Sequence, residues 1–126
     1  MKPSTREWIK KAESDYQLAL TLARRRKTLV RDQACFMFQQ SAEKYLKARL
    51  EEANRPFPKT HQLQDLVTLT LPVEPLWSAL FAAAGRLSVY AVAFRYPGYE
   101  ANATQMQTAM QDAKAIRKEA RLALGL

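Results

Sequence analysis

Apolar residues recur at intervals of three and four along almost the whole chain, and alternation with period two is nearly absent. Intervals of three and four put side chains on one face of a helix, whereas a half-buried strand needs alternation, so the pattern calls for packed helices. Trp8, Ala12, Tyr16, Ala19 and Ala23 form the first such stripe. It opens on Ser4 and Glu7, a capping-box pair, with Pro3 just before the start. It closes on Arg24, Arg25, Arg26 and Lys27, cations suited to the negative end of a helix dipole. Asp32 is the predicted cap of a second helix reaching about Asn54, with Cys35, Phe38, Ala42, Tyr45, Leu46, the stem of Arg49 and Ala53 facing inward. Pro56 and Pro58 stop it.

Thr60 is the predicted cap of a short third helix from His61 to about Leu69, with Leu63, Leu66 and Val67 inward. A fourth helix is expected from about Glu74 to Phe94, its seam being Trp77, Leu80, Ala84, Leu87, Ala91 and Phe94. The tract Arg95-Tyr96-Pro97-Gly98-Tyr99 breaks it. Asn102 with Gln105 then makes a second capping box, opening a last helix lined by Met106, Met110, Ala113, Ile116, Ala120 and Leu124. The expected fold is all-α, an up-and-down four-helix bundle with an additional short helix between the second and fourth helices. No repeat, linker or low-complexity tract interrupts it, so residues 1–126 read as one domain. Aromatic seams of this kind extend across dimer interfaces, and a homodimer is expected.

Composition removes whole classes of chemistry. One Cys (Cys35) excludes a disulfide framework within the monomer and a Cys-rich zinc site. One His (His61) excludes a His-His metal pair, and three Gly (Gly85, Gly98, Gly125) leave no Gly-rich phosphate loop. No metal and no cofactor is expected. Residues 76–94 are apolar enough to raise the question of a membrane span, but Arg86 sits in the middle, at a cost of about 2.5–3.5 kcal/mol at mid-bilayer. A helix buried in a bundle is the expected reading, with no membrane association. With no secretory signal legible and an unpaired Cys, the expected location is cytoplasmic.

The net charge is +8, and it is uneven: residues 1–59 hold 14 of the 20 Lys and Arg against 7 of the 12 acids. The densest cluster is Arg24, Arg25, Arg26, Lys27 and Arg31. It reads either as an electrostatic footprint for a polyanion or as dipole compensation with solubility; no aromatic residue interleaves with it to stack bases.

Three segments are informative together. The second helix contains Phe38-Gln39-Gln40-Ser41-Ala42-Glu43-Lys44-Tyr45-Leu46-Lys47, the proline turn is followed by Pro58-Lys59-Thr60-His61-Gln62-Leu63, and Arg95-Tyr96-Pro97-Gly98 follows the fourth helix. In this order they resemble the HEPN family (higher eukaryotes and prokaryotes nucleotide-binding domain), from Trp8 to about Leu122. The resemblance implies a helical bundle, commonly dimeric, often encoded beside a minimal nucleotidyltransferase. Many members look like ribonuclease toxins of toxin–antitoxin pairs, with an Arg followed after four to six residues by a His near the start of the last long helix. There the Arg would stabilise phosphorane charge and the His would act on the 2′-hydroxyl or the leaving oxygen.

Counted from Arg95, that His is due at positions occupied by Glu100, Ala101 and Asn102. Arg55 and His61 satisfy the spacing, but across Pro56 and Pro58 in a different loop. The expectation is therefore a non-catalytic HEPN module with no catalytic residue, a partner of a minimal nucleotidyltransferase that engages a nucleotide or RNA. The alternatives are a ribonuclease toxin with a departed motif and a purely structural dimerisation module. Candidate anionic-ligand residues are Arg95, Tyr96, His61, Lys44, Lys47 and Gln40. Gln40, Lys44 and Lys47 share a helix face by spacing, either solvated or the wall of a polar cleft. His61 either closes its loop or contacts ligand, and Arg95 either caps the fourth helix or binds phosphate. Glu43 is placed to pair with Lys47 at i+4, worth about 0.3–0.5 kcal/mol at a surface. Family resemblance also makes Tyr96 and Tyr99 candidates for modification by a partner enzyme.

Overall fold

The computed structural model describes residues 1–93 and 96–126, and among these every regular element is helical. The order is α1 (Pro3–Arg24), α2 (Thr28–Glu52), α3 (Leu63–Thr70), a 3-10 segment (Pro75–Leu80), α4 (Phe81–Ser88), a second 3-10 segment (Val89–Ala91) and α5 (Ala103–Ala123). The stripe of α1 is buried as spaced, at Ala12, Tyr16, Ala19 and Ala23, while Trp8 is half-buried at its edge. On α5, Met106, Ala113, Ile116 and Ala120 are buried as expected, joined by Ala109 and Asp112. Leu63, Leu66 and Val67 of α3 are fully buried.

Helix α2 is the centre of the bundle. Tyr45, Leu46, Lys47 and Ala48 are consecutive and all buried, which no one-sided helix permits, because four successive residues point around the full turn. Helices α1 and α5 cover two of its sides, and α3 with the Pro75–Ala91 segment covers the rest.

Four boundaries differ from the sequence expectation. Pro3 is the first residue of α1, where its missing amide costs nothing, and no side chain caps that end. Ser4 instead donates to Glu51 Oε1 at 2.8 Å, and Thr5 donates to Glu52 Oε1 at 2.9 Å, tying the start of α1 to the end of α2. Helix α2 begins at Thr28, four residues before Asp32, because Asp32 Oδ1 accepts from the Ala101 amide at 2.7 Å rather than from its own helix. Thr60 Oγ1 accepts from the Gln62 amide at 3.0 Å, a local turn, and α3 starts at Leu63, whose amide donates to Ser88 Oγ at 2.9 Å. The expected fourth helix is divided into 3-10, α and 3-10 parts, and Phe94 lies outside the described residues. The second capping box is formed as expected, with Asn102 Oδ1 accepting from Gln105 N at 2.7 Å and Gln105 Oε1 accepting from Asn102 N at 2.8 Å.

No helix among the described residues is long and apolar enough to cross a membrane. Residues 75–91 instead bury Trp77, Leu80, Ala84, Leu87 and Tyr90 against the other helices.

Candidate functional site

Glu43 is only 4% exposed, and a buried carboxylate is stable as an ion only when its lone pairs are satisfied. Three donors satisfy it. Gln39 Nε2 donates to Oε1 at 3.1 Å, Lys47 Nζ to Oε2 at 3.1 Å, and His61 Nδ1 lies 2.8 Å from Oε1. Gln39 and Lys47 reach it because residues four apart on a helix stack on one face. His61 arrives from the loop before α3. Gln40 Nε2 extends the network by donating to Gln39 Oε1 at 2.7 Å. With a carboxylate as partner, Nδ1 supplies the proton of this hydrogen bond, which leaves Nε2 turned away from Glu43. The His61 side chain is 61% exposed, so the free nitrogen belongs to a side chain open to solvent and held from behind.

Lys47 is enclosed rather than solvated. Its Nζ lies 5.6 Å from the Trp8 ring centroid and 5.8 Å from that of Phe57, and these two rings meet edge to face at 6.0 Å. The Glu43–Lys47 pair is thus a buried ion pair, not the surface pair that its spacing suggests. Lys44 points elsewhere, forming an ion pair with Asp15 of α1. Of the six residues singled out from sequence, the structure brings Gln40, Lys47 and His61 together around Glu43. Tyr96 is exposed in the loop before α5, and Arg95 lies outside the described residues.

Sequence reasoning missed Glu43 as the hub and passed over Gln39. Spacing held a signal for both, since Gln39, Glu43 and Lys47 stand at successive intervals of four. It also missed a second hub, for which spacing holds no signal. Glu13 of α1 accepts a bidentate pair from Arg117 of α5, at 2.7 and 2.9 Å, with Tyr45 donating at 2.5 Å and Gln17 at 3.0 Å. Burial alone would raise the Glu13 pKa. The hydrogen bonds from Arg117, Tyr45 and Gln17 and the Arg117 charge outweigh it and bring the pKa down to about 2. Arg117 also stacks over Tyr16, 4.7 Å from the ring centroid. This network joins three helices and is structural.

Cys35 is fully buried, and burial first, then the Asp32 charge, push its thiol up to about 12, so it carries no thiolate at neutral pH. No group of three or more His, Cys, Asp or Glu able to hold a metal ion occurs among the described residues.

A helical bundle with one helix enclosed by the others, and a buried carboxylate presenting a solvent-facing His, defines a small all-α module with a polar edge. The HEPN domain family matches residues 5–122, nearly the whole chain, and the protein belongs to that family. Its fold is similar to that in the crystal structure of TT1696 from Thermus thermophilus, with a TM-score of 0.77 and 21% identity over 95% of this chain and 98% of that one. At that identity the likeness is one of fold. No curated protein matches the chain in sequence.

Proposed function

We propose that this HEPN protein is a non-catalytic binding module, a homodimeric partner of a minimal nucleotidyltransferase in a toxin–antitoxin-like pair that engages a nucleotide or nucleic acid. The observation that carries the reading is the place of its one histidine. The positions due for a nuclease His after Arg95 hold Glu100, Ala101 and Asn102, whereas His61 is fixed by Glu43 in the loop that follows α2. The Glu43–His61 pair fixes one nitrogen and frees the other, which suits recognition of a phosphate or a base edge. His61, Gln40, Tyr96 and Arg95 are the proposed ligand contacts. Lys47 acts by holding Glu43 in place, and Lys44 joins only when it leaves Asp15. Dimerisation is supported by Phe81, Val89 and Val92, which stay 49%, 53% and 46% exposed along one segment of the chain.

Three measurements test this. A short RNA incubated with the purified protein should remain intact, and cleavage that is lost in Arg95→Ala would replace the proposal with the ribonuclease alternative. Titration with a nucleotide or short RNA should show binding that weakens in His61→Ala; no binding at all favours the purely structural dimer. Mass in solution should be that of a dimer, and Val89→Glu should shift it to a monomer.

A further inference from the structure

Arg24 ends α1, the turn to α2 carries Arg25, Arg26 and Lys27, and the first turn of α2 adds Arg31. None of these five cations pairs with an acidic side chain among the described residues. A pocket of about 270 Å³ opens beside them, lined by Ala23, Arg26, Arg31, Ala103, Met106 and Gln107. Arg31, one of the lining residues, has its Nε buried with no hydrogen-bond partner among the described residues. A buried guanidinium N–H without an acceptor carries an uncompensated desolvation cost, which a turn of the Arg31 side chain toward an anion in the pocket would relieve. Arg26 holds a left-handed backbone, φ 53°, in the turn, a conformation that favours glycine.

Neither of the acids nearest in sequence forms an ion pair with Arg26 or Arg31. Asp32 is turned to the Ala101 amide, and Glu100 is exposed in the loop before α5. The remaining lining is small or flexible and contains no aromatic ring, so it offers nothing for a base to stack on. Two guanidiniums around a small, otherwise uncharged pocket match an oxyanion that accepts several hydrogen bonds at once.

We propose that this pocket is a phosphate-binding site in which Arg26 and Arg31 hold a phosphate group, supplied either by a free nucleotide or by a nucleic-acid backbone. It is distinct from the His61 site. Arg31 and Glu43 are twelve residues apart on α2, which is about 18 Å along the helix axis.

The test follows backbone amide signals of the full chain by NMR during titration with inorganic phosphate, a nucleoside monophosphate and a single-stranded oligonucleotide. Wild type, Arg26→Gly, Arg31→Gln and His61→Ala are compared. Arg26→Gly is chosen because glycine relieves the left-handed backbone while removing the guanidinium, so the variant folds. Phosphate should shift the signals of residues 24–31 and 103–107. Affinity should fall about ten-fold or more in Arg26→Gly and in Arg31→Gln, and stay unchanged in His61→Ala. If the source is a nucleic-acid backbone, the oligonucleotide binds far more tightly than phosphate, and its salt dependence loses roughly one phosphate contact in Arg26→Gly. If the source is a free nucleotide, the monophosphate binds at least as well as the oligonucleotide. Unchanged affinity in both arginine variants, or shifts confined to the residues around His61, would overturn the proposal. Shifts at residues 24–31 and 103–107 with none around His61, and nucleotide and oligonucleotide affinities unchanged in His61→Ala, would leave it standing while sinking the function proposed above.

Discussion

Glu43→Gln separates a buried ion pair from a surface one. In the folded protein the side chains of Lys47 and Glu43 are 9% and 5% exposed, and the Lys47 ammonium is walled by Trp8 and Phe57. Gln keeps the size and one oxygen acceptor for His61 but removes the charge, which strands a buried ammonium. Stranding one member of a buried pair costs about 3–5 kcal/mol, against about 0.3–0.5 kcal/mol for an exposed i,i+4 pair. A chain of this length has a total stability on the order of 5–15 kcal/mol, so the change would remove a large share of it. It should lower the Tm by roughly 12–20 °C, at about 4 °C per kcal/mol for a domain of this size. Urea denaturation of wild type, Glu43→Gln, Lys47→Met and the double variant gives the coupling directly. Met keeps the stem of Lys47 against the two rings without its charge, so the double variant should recover most of the loss. A cost below about 1 kcal/mol for Glu43→Gln would refute the burial argument, as would a double variant no better than the single one.

The Glu13 pKa is lowered on folding from its ordinary value to about 2, so its contribution is full above the unfolded carboxylate range and is lost as pH falls toward 2. Screened by solvent, because both side chains of the Arg117–Glu13 pair are more than a quarter exposed, that contribution is on the order of 1 kcal/mol at neutral pH; Glu13→Gln should be less stable there and show a flatter acid limb in denaturation midpoints measured from about pH 5 to pH 2. Cys35 should resist a thiol reagent in the native protein and react only on unfolding, whereas fast labelling at mildly alkaline pH would contradict its burial. Asn102→Ala removes the capping box of α5 and should cost about 1 kcal/mol in thermal denaturation, while Ser4→Ala, which caps no helix, tests only the link to Glu51.

The two capping boxes show how far local pattern carries. Ser4 with Glu7 and Asn102 with Gln105 look alike in the sequence, yet only the second forms. The hairpin of α1 and α2 brings Glu51 and Glu52 against the start of α1, and they take the hydroxyls of Ser4 and Thr5. Asp32 has the type and place of a cap, but a backbone amide 69 residues away captures it. Local patterns predict which groups can bond. They do not predict competition from distant groups.

Read alone, the residue pattern determined that the chain is helical, which faces of α1, α3 and α5 turn inward, and the family it resembles, since helical spacing is a property of neighbours. The chemistry of its charges was settled only when the helices packed. Glu43 and Lys47 became a buried pair because Trp8, Phe57 and the loop of His61 closed over one stretch of α2. Glu13 met Arg117 across 104 residues, and Arg31 Nε was buried beside α5 with no acceptor among the described residues. Burial decides whether a charge is solvated, paired or left wanting a partner, and burial is a property of the assembled bundle.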